Sequence, residues 1–364
     1  MSNLEIISLT KSNLRDAIAE NKYWAGTYEP AFSKNKAKWM LENTRANDDD
    51  VLAVLGYEKH TIIAFIYFVP DLVKSADGSL VKVFWSQRWW VSDKYKETVL
   101  STYIKKHSLN ACNNQAIIKF LGDKTKAYYK KQPFTEFSKR KRYIIIFSLD
   151  SQLLIYRKAS LKFFKPLLKL LDSFSRRIVA IVNNIKSNKK GKHITSKHVS
   201  QIDTDTWDFI EKHSSTDIVP KSKEFINWQI SNSQYHNLTD SKEPDYKCLL
   251  GTIAKKIHNS NFVIKNKNEI VGFVSGFVSG NRFIIRYFIT NKTYYDDCLN
   301  VLIKSLIDSK CTLLQTENSE LGDSIINKYF KVYADVKELV SLVHNDVDIN
   351  LQNAVVTDQD GNFF

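Results

Sequence analysis

The stretch VFWSQRWWVSDKYKETVLSTYIKKHSLNA, residues 83–111, joins a predicted strand to a helix predicted over 94–109. Its first half carries Trp85, Trp89 and Trp90 among strand-forming residues, and its second half carries apolar residues at helical spacing. A strand that leads into a helix is a common place for a phosphate to bind, because the first N–H groups of the helix have no partner within it. The stretch contains no glycine, so a phosphate would have to approach the main chain without the space that glycine leaves.

The elements around this stretch form two similar series. From residue 4 to 149 the pattern predicts a strand, two helices, three strands, a helix, a strand, a helix and a strand, with a tight connection at Lys59-His60. Residues 198–344 repeat that order. The repetition indicates a duplicated α/β (α+β) fold, each copy a mixed, mostly antiparallel twisted sheet flanked by helices. We therefore predict an N-terminal domain (1–150), a connector (151–197), a C-terminal domain (198–350) and a loosely held tail (351–364).

Composition supports two buried cores, since 43% of the 364 residues are hydrophobic and 12% are aromatic. The chain shows neither a signal peptide nor an apolar run long enough to span a membrane, and we expect a cytoplasmic protein. The four cysteines are scattered, which predicts reduced and mostly buried thiols and no metal site.

The positive charge is concentrated in the connector. The formal net charge is +14, and the segment from Arg157 to Lys197 holds twelve basic residues and one acidic residue, Asp172. Apolar residues recur at helical spacing from Phe164 to Ile185. The segment is therefore an interdomain helix that packs its apolar stripe on the two domains, a membrane-surface helix over 161–192, or an arm that faces RNA. The second alternative would place the protein at the inner membrane face, and nucleic acid is the least favoured partner.

The element order resembles that of the GCN5-related N-acetyltransferase (GNAT) superfamily, with two such domains in tandem. VLAVLGYEKHTIIAFIYFVPD resembles its second and third strands, and FWSQRWWVSDKYKETVLSTYIKKH resembles its fourth strand, pyrophosphate loop and third helix. NTR (Asn43–Arg45) and WWV (Trp89–Val91) are similar to segments of tandem-domain acetyltransferase relatives from bacterial surface-polysaccharide loci.

The resemblance implies a binding site for acetyl-CoA, or another acyl-CoA, between the fourth and fifth strands. It implies that the pantetheine pairs with the main chain of Trp90, Val91 and Ser92. It places the pyrophosphate loop on Lys96, Glu97, Thr98, Val99, Leu100 and Ser101. Lys96 keeps a positive charge there, whereas Val99 stands where the superfamily has glycine and Glu97 adds a negative charge. In the second copy Asp296 and Asp297 stand near the helix start, which favours a cleft or partner surface over a cofactor site.

The resemblance also implies that Tyr129, in AYYKKQPF, donates a proton to the leaving thiolate. The alternative is a core aromatic residue. The fourth strand offers no carboxylate as a base, which leaves Glu29, Asp48, Asp49 and Asp50 as candidates. Arg45 and Arg88 are candidates to hold an anionic substrate such as a nucleotide sugar, or else form salt bridges. Trp85 and Trp89 share a face by strand periodicity, and Trp85 is a candidate to stack on a sugar or adenine ring.

Three functions remain open at this point. The first is an acyl-CoA-dependent acyltransferase, an N-acetyltransferase of a small amine or amino-sugar metabolite. The second is a binding module that keeps the fold without catalysis. The third is a Fem-like peptidyltransferase that uses aminoacyl-tRNA, which the basic connector would suit.

Overall fold

The structure is a computed structural model that describes residues 4–149, 151, 155, 158–187, 193–214, 216–237, 253–254, 257–350 and 355–363. It divides into two compact units, each discontinuous in sequence. Unit 1 comprises Met1–Lys139, Ser215–Ile257 and Leu339–Phe364, and unit 2 comprises Arg140–Ser214 and His258–Glu338.

The order of elements is the predicted one, except for two short strands in the second series, β8 (His236–Asn237) and β9 (Ile253–Ala254), which pair in parallel and were not predicted. The first series contains β1 (Leu4–Thr10), α1 (Lys11–Ala19), α2 (Lys34–Leu41), β2 (Val51–Glu58), β3 (Thr61–Lys74), β4 (Leu80–Val91), α3 (Leu100–Ala111), β5 (Ala116–Ile118), α4 (Asp123–Tyr129) and β6 (Phe134–Ile146). The rest contains α5 (Lys165–Ser187), β7 (Ile194–His198), α6 (Thr204–His213), α7 (Lys223–Ile230), β8 (His236–Asn237), β9 (Ile253–Ala254), β10 (Ile257–Asn266), β11 (Glu269–Ser279), β12 (Arg282–Thr290), α8 (Tyr295–Asp308), β13 (Leu313–Thr316), α9 (Ser319–Lys328) and β14 (Tyr333–His344). A mixed α/β fold with mostly antiparallel sheets flanked by helices is confirmed.

The sheet of unit 1 has the strand order β1-β2-β3-β4-β5-β14. Antiparallel pairing runs from β1 to β4, and β4 and β5 are parallel. The β2–β3 turn places Lys59 (φ 48°) and His60 (φ 73°) in the left-handed region, as a two-residue hairpin requires. The predicted tight connection at this turn is confirmed.

The core of unit 1 lies on both faces of this sheet. On one face α1, α2 and α7 cover the strands, and on the other face α3 covers them. Trp39 of α2 and Trp228 of α7 stack with ring centroids 4.2 Å apart, and each indole N–H donates to the other's main-chain carbonyl. Helix α7 follows α6 in the second series, yet its aromatic side chains complete the core of unit 1.

The sheet of unit 2 has the strand order β6-β13-β12-β11-β10-β7. Strands β12 and β13 are parallel, and β13 pairs antiparallel with the part of β6 from Tyr143 to Ile146. Helices α8 and α9 pack on this sheet through residues such as Leu302 and Leu321. Gly322 of α9 meets the ring of Tyr143 so closely that an added Cβ would lie 2.3 Å from it.

The two closing strands belong to sheets other than those predicted. The strand predicted at Arg142–Leu149 was expected to close the first copy, but Tyr143–Ile146 pair with β13 in unit 2. The strand at the end of the second copy instead pairs with β5 through Leu342 and Val343 in unit 1. The last strand of each series pairs with its neighbour through main-chain hydrogen bonds, so its side-chain pattern does not indicate which sheet it joins. The units therefore differ in their boundaries from the predicted segments 1–150 and 198–350.

The tail is packed in the core, whereas the sequence predicts a loosely held segment. Of its residues, 355–363 are described, and Gln359, Asp360 and Phe363 have no exposed surface. The Phe363 carbonyl accepts hydrogen bonds from Tyr67 Oη (2.6 Å) and Lys36 Nζ (3.0 Å). Polar residues in the tail misled the prediction, because main-chain carbonyls satisfy the buried donors of unit 1.

Gly361→Ala is expected to destabilise unit 1 by about 2–4 kcal/mol. Gly361 has φ 60°, and a Cβ there would lie 2.5 Å from the Trp85 ring. Denaturant unfolding followed by tryptophan fluorescence measures the loss. Gly78→Ala is the matched control, because Gly78 also has positive φ (86°) but open space around it, and about 1 kcal/mol is expected. Equal losses in the two variants would contradict close packing of the tail on Trp85.

The connector contains helix α5, which does not pack its apolar stripe on the protein as the first interpretation expects. Leu170, Phe174 and Ile185 are 69%, 65% and 65% exposed, whereas the buried residues of the helix are Val179, Asn183 and Ser187. The linker predicted after it lies largely outside the described residues. Among the described residues, no helix has the length and apolar character needed to cross a membrane.

Candidate active site

An opening between β4 and β5 is the main feature of the candidate site in unit 1. The two parallel strands pair only as Phe84 with Ala116 and Trp85 with Ile117. Strand β5 ends at Ile118, whereas β4 continues to Val91. The edge of β4 beyond Trp85 is therefore available to another extended chain.

A β-bulge in β4 lies at this opening. Gln87 pairs with Tyr67 and Trp90 with Phe65, so that Arg88 and Trp89 stand opposite Ile66 alone. Arg88 has φ 40°, and its side chain is exposed. Bulges of this kind often lie beside active sites, where they change the direction of a side chain.

The bulge overturns the prediction that Trp85 and Trp89 share a face. Trp85 and Trp90 belong to the core on the α2 side, whereas Trp89 packs with the α3 side and with Tyr128 and Tyr129. One extra residue in a strand exchanges the faces of all the side chains that follow it.

The main chain of Val91 points toward the opening. Ser92 N donates to Ile63 O of β3 at 2.8 Å, and hydrogen-bonding directions alternate along a strand. The main-chain groups of Ser92 and Trp90 therefore face β3, and those of Val91 face the opposite side. Of the three residues predicted to pair with pantetheine, Val91 has the orientation for it.

Aromatic side chains pack together beside the open part of β4, which carries Trp89. The Tyr129 ring lies 6.2 Å from Trp89 and 5.0 Å from Phe134, edge to face. Tyr129 is 4% exposed, and burial raises the pKa of its hydroxyl well above the ordinary value. Trp89 Nε1 is buried and has no hydrogen-bond partner among the described residues. An unpaired buried N–H is costly, so it marks a position where a ligand acceptor would be stabilised.

Lys105 of α3 lies beside Tyr129 and was not predicted. Its Nζ donates to Ser86 Oγ of β4 at 3.2 Å and lies 5.5 Å from the centre of the Tyr129 ring. The side chain has no exposed surface, and burial lowers the pKa of Lys105 to about 8. A lysine on an amphipathic helix ordinarily faces solvent, so the sequence contained no signal for this position.

The predicted phosphate loop spans the start of the helix, with Lys96–Val99 before α3 and Leu100 and Ser101 in its first turn. A 3-10 turn occupies Asp93–Tyr95, and α3 begins at Leu100, later than predicted; the Thr98 hydroxyl accepts from Leu100 N at 3.2 Å. Lys94 pairs with Glu58 at 2.8 Å, and Lys96 pairs with Asp93. Val99 is 85% exposed and supplies no side-chain cap, Glu97 is exposed, and Ser101 is half-buried.

Arg45 and Trp85 meet on the other side of the sheet, at Asp71. Asp71 has no exposed surface, accepts from Trp85 Nε1 at 2.8 Å, and forms an ion pair with Arg45. The guanidinium also donates to the Pro220 carbonyl and lies 3.4 Å from the centre of the Phe225 ring. Burial raises the pKa of Asp71, and Arg45 opposes that change. The structure thus brings together two of the predicted substrate residues, while Arg88 lies apart at the bulge.

The four candidate bases have local contacts or face solvent. Asp48 pairs with Arg15 at 2.6 Å, Asp50 with Lys82 at 2.7 Å, and Glu29 accepts from Ile62 N at 3.2 Å. Asp49 is exposed. None of these contacts involves the opening between β4 and β5.

Unit 2 has a similar parallel pair without a similar helix start. Strands β12 and β13 pair from Arg282 to Ile284, and α8 carries Asp296 and Asp297 in its first turn. Asp296 pairs with Lys328 at 2.5 Å. Two carboxylates at a helix N-terminus already satisfy its dipole. No group of metal-ligating side chains is found among the described residues of either unit.

Comparisons with known proteins complete this description. No family model and no curated protein sequence matches the chain. A conserved protein of unknown function from Enterococcus faecalis, described as a probable N-acyltransferase, is 10% identical, with 94% of this chain and 73% of that chain covered and a TM-score of 0.49. A GCN5-related N-acetyltransferase from Kribbella flavida is 10% identical, with 94% of this chain and 72% of that chain covered and a TM-score of 0.49. A GCN5-related N-acetyltransferase from Anabaena variabilis is 7% identical, with 93% of this chain and 72% of that chain covered and a TM-score of 0.48.

Proposed function

We propose that unit 1 is an acyl-CoA-dependent acyltransferase that acts on a small amine. The observation that carries the proposal is the open edge of β4, which lies on the side of parallel β5 beyond the end of that strand, contains a β-bulge and leads toward the start of α3. An extended amide-containing chain would extend the sheet there by main-chain hydrogen bonds.

The residues at the opening fit the amide arm of such a cofactor. Val91 offers main-chain groups, and Trp89 Nε1 is a buried donor that lacks a partner among the described residues. Lys94 and Lys96 supply positive charge before the helix, although each is paired with a carboxylate. When bound, an acyl-CoA supplies its acyl group as a thioester.

Tyr129 is the proposed proton donor to the leaving group. Because its pKa is raised well above the ordinary value, the hydroxyl stays protonated at neutral pH. Exposed Arg88 is proposed to meet an anionic acceptor such as an amino-sugar nucleotide.

Titration calorimetry with acetyl-CoA tests the cofactor site. The protein is expected to bind, and Lys96→Ala is expected to weaken binding about fivefold, because one cation near the phosphates is worth about 1 kcal/mol. Lys106→Ala is the matched control, since Lys106 is an exposed lysine on α3 that lies beyond the first turn of the helix. Absence of heat from folded, concentrated protein would rule out the proposal, and equal effects of the two variants would rule out the loop.

A binding module without catalysis is the second candidate. It is favoured by the tail, which covers the face of the sheet opposite α3 and binds Gln87 of β4 through the Gly361 carbonyl at 3.0 Å. Binding of acetyl-CoA without release of free thiol, across a panel of amines and amino sugars, would favour this candidate. A Fem-like peptidyltransferase is not favoured, because the described part of the basic segment forms the single long helix α5.

A further inference from the structure

Helix α5 in unit 2 presents an apolar face to solvent, independently of the function proposed for unit 1. The face consists of Leu167, Leu170, Phe174, Ile178, Ile181 and Ile185, all exposed. Phe163, in the 3-10 turn before the helix, is 91% exposed. A contiguous apolar row of this kind marks an interaction surface.

The opposite face holds the helix in this orientation. Asn183 Nδ2 donates to the Phe330 carbonyl at 2.9 Å, and Phe330 N donates to Asn183 Oδ1 at 2.8 Å. Near the other end, Ser151 N donates to the Asp172 carboxylate at 2.9 Å. The polar contacts would be lost if the helix rolled, so its apolar side chains stay outward.

The helix carries positive charge along with its apolar face. Lys165, Lys169, Arg176 and Arg177 are exposed, and the single acidic residue of the helix, Asp172, is engaged by Ser151 N. An amphipathic helix with Lys and Arg on its polar side and Phe, Leu and Ile on the other is suited to lie in the surface of an anionic bilayer.

The charges of α5 also favour a lipid bilayer over a second copy of the chain as the partner that covers its apolar face. The spacing from Leu167 to Ile185 would allow a coiled coil, but the positions that flank the apolar face, such as Arg177 and Asn184, include no carboxylate. Two such helices would therefore have no interhelical salt bridge to stabilise the pair. Nucleic acid would meet the charges but leave the apolar face uncovered.

We propose that α5 docks unit 2 on the surface of an anionic lipid bilayer, with its apolar face inserted at the boundary between headgroups and acyl chains. The apolar face supplies the insertion, and the basic residues supply attraction to the lipid headgroups.

Vesicle flotation with the full chain tests the proposal. Vesicles of phosphatidylcholine with about a third phosphatidylglycerol are expected to carry the protein, and vesicles of phosphatidylcholine alone to carry much less. The double variant Phe174→Gln with Ile181→Gln is expected to bind at least about tenfold more weakly. Arg176→Glu with Arg177→Glu is expected to lose at least as much on the anionic vesicles, and high salt is expected to mimic it.

The matched control is Leu80→Gln with Val336→Gln, which removes two comparably exposed apolar side chains outside the helix and should leave flotation unchanged. Circular dichroism of each variant checks that it is folded. Equal flotation of control and helix variants would overturn the proposal. The proposal would also be overturned if the wild type failed to float with vesicles and formed a dimer in sedimentation velocity that was lost in the Gln double variant. A third contrary result would be binding of the wild type to RNA, and not to vesicles, with the Gln double variant binding RNA equally well.

Discussion

Lys105→Met is expected to stabilise unit 1 by about 2 kcal/mol at pH 7 and to remove a pH dependence of its stability. Lys105 has no exposed surface, and burial lowers its pKa from 10.5 to about 8. The unfolded chain therefore binds this proton more tightly than the folded chain does. The free energy of unfolding of the wild type should rise as pH increases from about 8 to about 10.5, by about 3 kcal/mol from this group, and level off above that. Methionine fills the space without a charge and forfeits only the hydrogen bond to Ser86.

Denaturant unfolding between pH 7 and pH 10.5, followed by tryptophan fluorescence, measures this effect as the difference between variant and wild type. Taking the difference removes the other groups that titrate in the same range. Lys106→Met is the control, because Lys106 is exposed on the same helix and should change stability by less than about 0.5 kcal/mol. A pH-independent difference between Lys105→Met and wild type would show that the lysine is not buried as described. A more stable variant with less acyl transfer would mark Lys105 as part of the site.

Arg45→Met is expected to destabilise unit 1 by about 3–5 kcal/mol, because it leaves the buried Asp71 carboxylate without its counter-charge. Asp71 would keep only the hydrogen bonds from Trp85 Nε1 and Leu72 N. The substitution also removes the contact of the Arg45 guanidinium with the Phe225 ring. Thermal and urea unfolding of the variant measure the change.

Arg45→Met with Asp71→Asn separates a structural role from substrate binding. Asparagine keeps an acceptor for Trp85 and carries no charge, so the double variant should recover more than half of the stability that the single variant loses. It should also bind acetyl-CoA as the wild type does. No recovery would show that the ion pair is not the source of the loss. A stable double variant that fails to bind an anionic acceptor would show that Arg45 contacts the substrate.

Local pattern was enough to predict the elements and their order. The order of both series, the β2–β3 turn at Lys59-His60 and the burial of Cys112, Cys298 and Cys311 all follow the sequence; Cys248 lies outside the described residues. These features depend on the periodicity of neighbouring residues and on turn chemistry, which a single chain displays directly. The region of the candidate site could be placed in the same way, since it lies where β4 leads into α3.

The residues of that site could not be assigned to their roles by pattern. One bulged residue at Arg88 reversed the faces of Trp89 and Trp90, and Lys105 is buried, where it donates to Ser86 of β4. Such contacts join positions far apart in the chain, and no local pattern encodes them.

By itself, the sequence determined two series of one mixed α/β order, the amphipathic and basic character of α5, and the absence of glycine between Val83 and Ala111. Only the tertiary structure decided that the closing strands pair with the other sheets, that the tail fills a core, and that the apolar face of α5 points outward. The physical reason is the same in each case. Which strand a main chain pairs with, and which surface a helix packs on, depend on the hydrogen-bonding groups and apolar surfaces that the rest of the folded unit leaves unpaired. Hydrophobic periodicity in the sequence indicates only that a segment has an apolar face.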